Sequence, residues 1–152
     1  MKTEVIPSRT ITFEVLGTPA PKGAMTAFPI RKAGALTGRV AVTARSSERQ
    51  REWTNRVLSV VRGIAEDVEL LDEPVVVTMR FYMPKPKAAP KRRRTWPDRA
   101  PDIDKLARLV LDAMTGTLLA DDARVVELHV GKDYPDNGWT GVEVLVYPRQ
   151  TA

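Results

Sequence analysis

Four short segments in which apolar and polar residues alternate constrain the fold of this chain more than any other feature. They cover residues 10–16, 75–83, 126–130 and 142–146. Because neighbouring side chains of a strand point to opposite faces, each segment predicts a half-buried strand. Apolar residues at helical spacing predict one helix over residues 47–66 and another that covers 106–114. The order β-α-β-α-β-β predicts an α+β fold, with a mixed sheet of about four strands covered by two helices.

The connections between these segments carry their own signals. Residues 17–45 are rich in Gly, Pro, Ala and basic residues and have no sustained period, which predicts a long loop with room for a short hairpin within it. Residues 84–101 are basic and interrupted by prolines, which predicts irregular structure. Asn137-Gly138 is typical of a β-hairpin turn and predicts that the last two strands pair with each other.

Length and composition limit the class of protein. A chain of 152 residues fits a single domain, 1–152. No apolar run reaches the roughly 18 residues of a membrane span, and residues 1–9 lack a signal-peptide pattern, so we expect a cytoplasmic protein. The chain has no cysteine and one histidine, His129, which excludes thiolate nucleophiles and Cys- or His-rich metal sites. Any bound metal must therefore have oxygen ligands.

Basic residues concentrate in two segments of a chain whose net charge is +5. Residues 85–99 hold seven Lys and Arg against the single acid Asp98, and residues 15–47 hold five against none. This distribution indicates nucleic-acid binding. Trp96, inside the first of these segments, either stacks on an unpaired base or packs its loop onto the body of the protein. The residues expected to contact DNA are Lys22, Arg31, Lys32, Arg92, Arg93, Arg94, Lys105 and Lys132.

Two acidic pairs flank the second predicted helix. Asp102 and Asp104 follow Pro101, which favours extended backbone, so both carboxylates can face one point. Carboxylate and phosphate oxygens are the ligands that Mg²⁺ prefers. The alternative is that Asp104 caps the helix, a common role for aspartate. The second pair is Asp121-Asp122. If the first pair only capped the helix, Asp122 would have no reason to lie near it.

One face of the same helix combines both signs of charge. Asp104, Arg108 and Asp112 are spaced by four residues and therefore share that face. One interpretation is a surface ladder of ion pairs, which stabilises a helix only slightly. The other is that Arg108 lies beside a scissile phosphate and stabilises the charge that develops there.

Residues 101–114 (PDIDKLARLVLDAM) and 119–128 (LADDARVVEL) resemble the signature of the RusA-type Holliday junction resolvases. The similarity includes Lys132 and the strand that leads into residues 17–23 (GTPAPKG). The resemblance implies a small homodimeric endonuclease that cuts four-way DNA junctions by paired symmetric nicks, in recombination and repair. It also implies a requirement for Mg²⁺, with Mn²⁺ as the alternative, and neither a membrane nor a small-molecule cofactor.

By position, the resemblance implies that Asp102, Asp104 and Asp122 bind the metal and act with Arg108 in metal-assisted hydrolysis. Two positions depart from the family, which usually has Asn at Lys105 and Lys at Arg108. Arginine keeps the positive charge but does not transfer protons, so we expect an electrostatic role for Arg108. The alternative is that Lys105 supplies part of the function of the family lysine. Two other functions fit the same residues: a non-catalytic nucleic-acid-binding module, and a metal-dependent nuclease for other branched DNA.

Overall fold

The computed structural model describes residues 9–22, 25–44 and 48–150, which form two β-sheets and two α-helices. The strands are β1 (Ile11–Leu16), β2 (Met25–Lys32), β3 (Ala35–Ala44), β4 (Val75–Tyr82), β5 (Val125–Asp133) and β6 (Gly141–Pro148). The main sheet has the order β1-β6-β4-β5, and β2 pairs with β3 in a separate sheet. The prediction of an α+β fold with a mixed four-stranded sheet is confirmed, as is the irregular structure of residues 84–101.

Both predicted helices are present. Helix α1 (Glu48–Ala65) buries Trp53 and two valines, and residue 47, where the predicted helix begins, lies outside the described residues. Helix α2 (Ile103–Met114) begins three residues before its first fully buried leucine. It is followed by Gly116 at a φ of +79°, a left-handed conformation in which glycine commonly ends a helix.

The predicted pairing of the last two strands is wrong. Strand β5 runs parallel to β4, whereas β6 runs antiparallel along the other edge of β4. Helix α2 connects β4 to β5, and a connection of that length allows the two strands to be parallel. Asn137-Gly138 does turn the chain, with the Asn137 Oδ1 accepting the Trp139 N–H at 3.1 Å, but inside a longer connection between strands that β4 separates.

The region predicted as a long loop contains an extended hairpin. Strands β2 and β3 pair antiparallel, and only Ala33 and Gly34 separate them. Both residues have positive φ, +51° and +81°, as a tight hairpin turn requires. Alanine rarely adopts this conformation, so the Ala-Gly pair gave no turn signal in the sequence.

The apolar core lies between the main sheet and the two helices. Val75, Val77, Met79 and Phe81 of β4 are at most 1% exposed and face the helices. Strand β5 forms an edge of the sheet, and its Val126 and Leu128 stay 59% and 42% exposed despite the alternation that predicted the strand. Within the described ranges, no helix is long and apolar enough to span a membrane.

Candidate active site

The first acidic pair lies at the beginning of α2. Asp102 occupies the N-cap position with extended backbone, and its carbonyl accepts the Leu106 N–H at 3.1 Å. Its side chain makes no capping hydrogen bond and is 63% exposed. Asp104 lies within the first turn, so the alternative that Asp104 is the N-cap residue is wrong. The N-cap residue is an aspartate whose carboxylate is not used for capping.

The backbone that leads into Asp102 is held by the end of strand β5. The Lys132 Nζ donates hydrogen bonds to the Arg99 carbonyl at 3.0 Å and to the Pro101 carbonyl at 2.9 Å. The Lys105 Nζ lies 3.5 Å from the Asp102 Oδ2, one helical turn away. Lys132, expected to contact DNA, therefore fixes the segment before the first acidic pair, and Lys105 is an ionic neighbour of Asp102.

The second acidic pair follows a tightly held loop. Leu118 and Leu119 are fully buried, and Leu71 donates its N–H to the Leu118 carbonyl at 2.8 Å. The Ala120 N–H in turn donates to the Leu71 carbonyl at 2.9 Å. These contacts fix the chain up to Ala120, one residue before the pair, and a short 3₁₀ helix, Asp122–Arg124, follows.

The two members of the second pair have different environments. The Asp121 side chain accepts the Ala123 N–H at 2.9 Å, and this bond is the main cause that lowers the pKa of Asp121. A hydrogen bond from the Asp122 side chain also lowers it. The pKa of Asp122 is raised, first by that side-chain hydrogen bond, then by desolvation and by the charges of Asp121 and Asp112. Asp121 therefore caps, and Asp122 lies among other carboxylates.

The exposed face of α2 differs from the predicted ladder. The Asp112 carboxylate forms an ion pair with the Lys22 Nζ, and the Lys22 N–H donates to the Lys105 carbonyl at 3.2 Å. Arg108 is exposed, and within the part of the chain that the structure describes no ion pair is found for it. Lys22 thus spans the face that carries Arg108, and Arg108 keeps its guanidinium available for another anion.

The sequence reasoning missed two acids, Asp112 and Asp133, as partners of predicted DNA-binding residues. The Asp133 Oδ2 accepts a hydrogen bond from the Arg94 Nη2 at 2.6 Å and lies 3.5 Å from the Arg80 Nη1. Part of the Arg94 guanidinium is therefore already bonded within the protein. The sequence gives no sign of the contact between Arg94 and Asp133, because 39 residues separate them.

The remaining predicted DNA contacts are surface residues. The backbone of Arg31 and Lys32 belongs to β2, where Lys32 is exposed and the Arg31 side chain lies outside the described residues. Arg92 and Arg93 are exposed in the irregular basic segment. These positions remain compatible with contacts to a DNA backbone.

The acids do not form a preassembled metal cage. Across residues 9–22, 25–44 and 48–150, no group of three or more His, Asp or Glu side chains is arranged to hold a metal ion. The donor chemistry nevertheless fits a hard divalent cation, because Asp102, Asp104 and Asp122 are exposed carboxylates. The assignment of these residues as metal ligands stays a prediction.

A comparison with protein-family models decides the class. The model described as Endodeoxyribonuclease RusA matches residues 28–147. The chain belongs to the RusA endodeoxyribonuclease family. The match includes α2 and both acidic pairs of this RusA-family chain, and Lys22 lies just outside it. No curated protein matches the chain. As a member of this family, the protein is a hydrolase that cuts DNA internally.

Proposed function

We propose that this RusA-family protein is a structure-specific endonuclease that resolves four-way DNA junctions by paired symmetric nicks, with Mg²⁺ or Mn²⁺ as its cofactor. Its proposed setting is recombination and repair in the cytoplasm. The observation that carries the proposal is the family match, which runs through residues 28–147 and includes Asp102, Asp104, Arg108 and Asp122.

Asp102, Asp104 and Asp122 would hold the metal. When bound, the ion supplies Lewis-acid stabilisation of charge and a more acidic bound water. Asp102 supports this role because its carboxylate makes no capping bond at a position where aspartate usually makes one. Asp122 supports it because its pKa is raised, first by the side-chain hydrogen bond with Asp121, then by desolvation and by the charges of Asp121 and Asp112, and a cation relieves the repulsion among these carboxylates.

Arg108 would stabilise the phosphate that is cut. It is exposed on the same helix as the first acidic pair, and a guanidinium group is suited to bind phosphate oxygens in a bidentate manner. Because arginine stays protonated, the proposed contribution of Arg108 is electrostatic, and the proton that the leaving oxygen needs comes from another donor.

The basic segment would bind the DNA backbone upstream of the acids. Lys91, Arg92 and Arg93 are exposed and precede Asp102 by about ten residues. Contacts of this kind neutralise phosphates and release counterions, so affinity falls steeply as salt rises and depends little on base sequence. Shape recognition, rather than base recognition, would therefore select the substrate.

A homodimer would match the symmetry of the substrate. A four-way junction has approximate two-fold symmetry, and a two-fold dimer carries two identical active sites related by the same operation. Paired nicks on strands of the same polarity follow from this arrangement. Light scattering should give a mass of twice the 16.9 kDa of one chain.

The test is cleavage of a synthetic four-way junction and of a linear duplex with the same arm sequence, with Mg²⁺ and with EDTA. We expect nicks at symmetric positions in the junction only, and only with metal. Asp102→Asn should abolish cleavage and keep most junction binding. Asp67→Asn is the matched control, because it makes the same change at an exposed acid beyond α1 and should cut normally.

A plasmid that extrudes a cruciform tests whether the nicks are paired. Two coordinated nicks give linear plasmid, whereas independent nicking gives relaxed circles first. Equal cutting of linear duplex would contradict the junction assignment and support a less selective nuclease. Binding without cutting of any substrate, at any tested Mg²⁺ or Mn²⁺ concentration, would support the non-catalytic binding module.

A further inference from the structure

Among the residues that the structure describes, Trp96 is the aromatic residue with a large exposed apolar side chain. More than half of it, 56%, is open to solvent, although indole is among the most costly side chains to leave in water. Its carbonyl accepts the Asp98 N–H at 2.8 Å, so the backbone turns directly after it. Trp96 therefore packs only partly onto the body of the protein, and more than half of its side chain stays open to solvent.

The segment that carries Trp96 is held at both ends by consecutive residues of β5. On one side, the Asp133 carboxylate binds Arg94 at 2.6 Å. On the other side, Lys132 binds the Arg99 and Pro101 carbonyls at 3.0 and 2.9 Å. Trp96 is therefore presented by a restrained segment that ends one residue before Asp102.

The Asp133 anchor explains why Arg94 stays close to Trp96. The Asp133 side chain is only 12% exposed, and a carboxylate at such a site requires cationic partners. Arg94 supplies one, and its Cζ lies 4.2 Å from the centroid of the Trp96 ring. This cation–π contact orients the indole, while the exposed part of the ring remains free for a second planar group.

The charge around Trp96 favours a nucleic-acid base as that planar group. Arg92, Arg93 and Arg99 surround it in sequence, and Asp98 is the only acid between residues 85 and 99. A protein or lipid partner with an apolar surface would not account for this charge, whereas a nucleic acid offers both phosphates and planar bases. Aromatic side chains stack on bases that are not enclosed in a duplex.

We propose that Trp96 is a structure-recognition residue that stacks on an unstacked base at the branch point of the DNA, and that Arg94 and Asp133 act as positioning residues for it. This inference rests on the proposed function, because branch-point DNA is the substrate class that supplies such a base beside the acids. Linear duplex offers no equivalent base away from its ends.

The test is equilibrium binding without divalent metal, by fluorescence anisotropy, to three labelled DNAs: a four-way junction, a linear duplex and a single strand. Trp96→Ala should weaken junction binding by about 5- to 150-fold and change duplex binding little. Trp96→Phe should retain most of the affinity, because phenylalanine also stacks. Leu70→Ala removes another exposed apolar side chain, 46% exposed in the α1–β4 connection, and should have no effect.

A second readout reports the base itself. With 2-aminopurine at the branch point, wild-type protein should change the fluorescence on binding, and saturating Trp96→Ala should not. Unchanged junction affinity of Trp96→Ala, or equal losses on junction and duplex, would overturn the inference. Equal losses on junction and single strand would overturn the branch-point assignment. Cleavage by the wild-type protein is scored separately, so a failure of the proposed function is distinguishable from a failure at Trp96.

Discussion

Two aspartates occupy the same position in two helices and are used differently. Asp102 is the N-cap residue of α2, and Asp121 is the N-cap residue of the 3₁₀ helix that follows. Both have extended backbone, with φ and ψ of −68° and 140° for Asp102 and of −157° and 146° for Asp121. Asp121 accepts the Ala123 N–H at 2.9 Å, whereas the Asp102 side chain makes no capping bond.

The difference shows that position alone does not decide what a capping-type residue does. The Asp121 carboxylate accepts a capping hydrogen bond from the Ala123 N–H, and its pKa is lowered mainly because of that bond. Asp102 makes no capping bond, which is normally worth about 1 kcal/mol, and its exposed carboxylate forms an ion pair with Lys105 instead. We propose that this carboxylate, which makes no capping bond, serves metal binding rather than stability.

The largest expected effect separates the two members of the second pair. Asp122→Asn should lower the rate of junction cleavage at least about 100-fold, because the change removes a carboxylate that we assign to metal binding. Asp121→Asn should cleave at close to the wild-type rate, since asparagine also caps helices. Single-turnover rates on the four-way junction measure both. Equal losses of cleavage rate in the two variants would show that Asp121 and Asp122 act as one unit and would contradict their different roles.

A smaller effect is expected from the residue that holds the segment before Asp102. Lys132→Met keeps the aliphatic stem but removes the hydrogen bonds to the Arg99 and Pro101 carbonyls. Cleavage at saturating protein should fall by about tenfold, because a small displacement of a catalytic group is costly, while junction affinity stays nearly constant.

The matched control for this prediction is Lys85→Met, which removes an exposed lysine of the basic segment. It should weaken binding slightly and leave cleavage of the bound junction unchanged. If Lys132→Met instead lowers affinity and reduces the salt dependence of binding, Lys132 is a phosphate contact, as the sequence first indicated.

The smallest expected effect is on protonation. In carboxyl-detected NMR titrations of the metal-free protein, the pKa of Asp121 should lie below the ordinary aspartate value and that of Asp122 above it. The lowered pKa of Asp121 stabilises the folded protein above the ordinary aspartate pKa, and this stabilisation is lost as pH falls. The raised pKa of Asp122 stabilises the folded protein at low pH, and this stabilisation is lost as pH rises. Asp121→Asn should lower the pKa of Asp122. An unchanged Asp122 pKa in this variant would contradict the coupling.

The secondary structure was predictable because its signals are local. Alternation and helical spacing are properties of neighbouring residues, and they identified the helices and the four main-sheet strands. Strand pairing was not predictable from Asn137-Gly138, because β6 pairs along the far edge of β4 through contacts distant in sequence. The β2–β3 hairpin was also missed as an extended element, since its turn uses alanine at φ +51°.

The candidate site was predictable by residue type but not by contact. The acids and Arg108 were proposed from the sequence because metal-assisted phosphate chemistry uses side chains of these types, and their roles stay a prediction. Which aspartate caps a helix depends on side-chain rotation, which the sequence does not encode visibly. The anchoring of Arg94 by Asp133 depends on two segments that the fold brings together, so it could not be predicted from the spacing of residues in the sequence.

The measurement that tests the central claim most directly is the replacement of Asp102 by serine, with glutamate as its counterpart. Serine is a good N-cap residue without a carboxylate, whereas glutamate keeps the carboxylate and caps poorly. Our account predicts that Asp102→Ser is at least as stable as wild type in thermal unfolding and loses junction cleavage by at least about 100-fold. It predicts that Asp102→Glu retains more cleavage than the serine variant. Wild-type cleavage by Asp102→Ser would contradict the account, because it would show that a cap, not a carboxylate, is what the site needs.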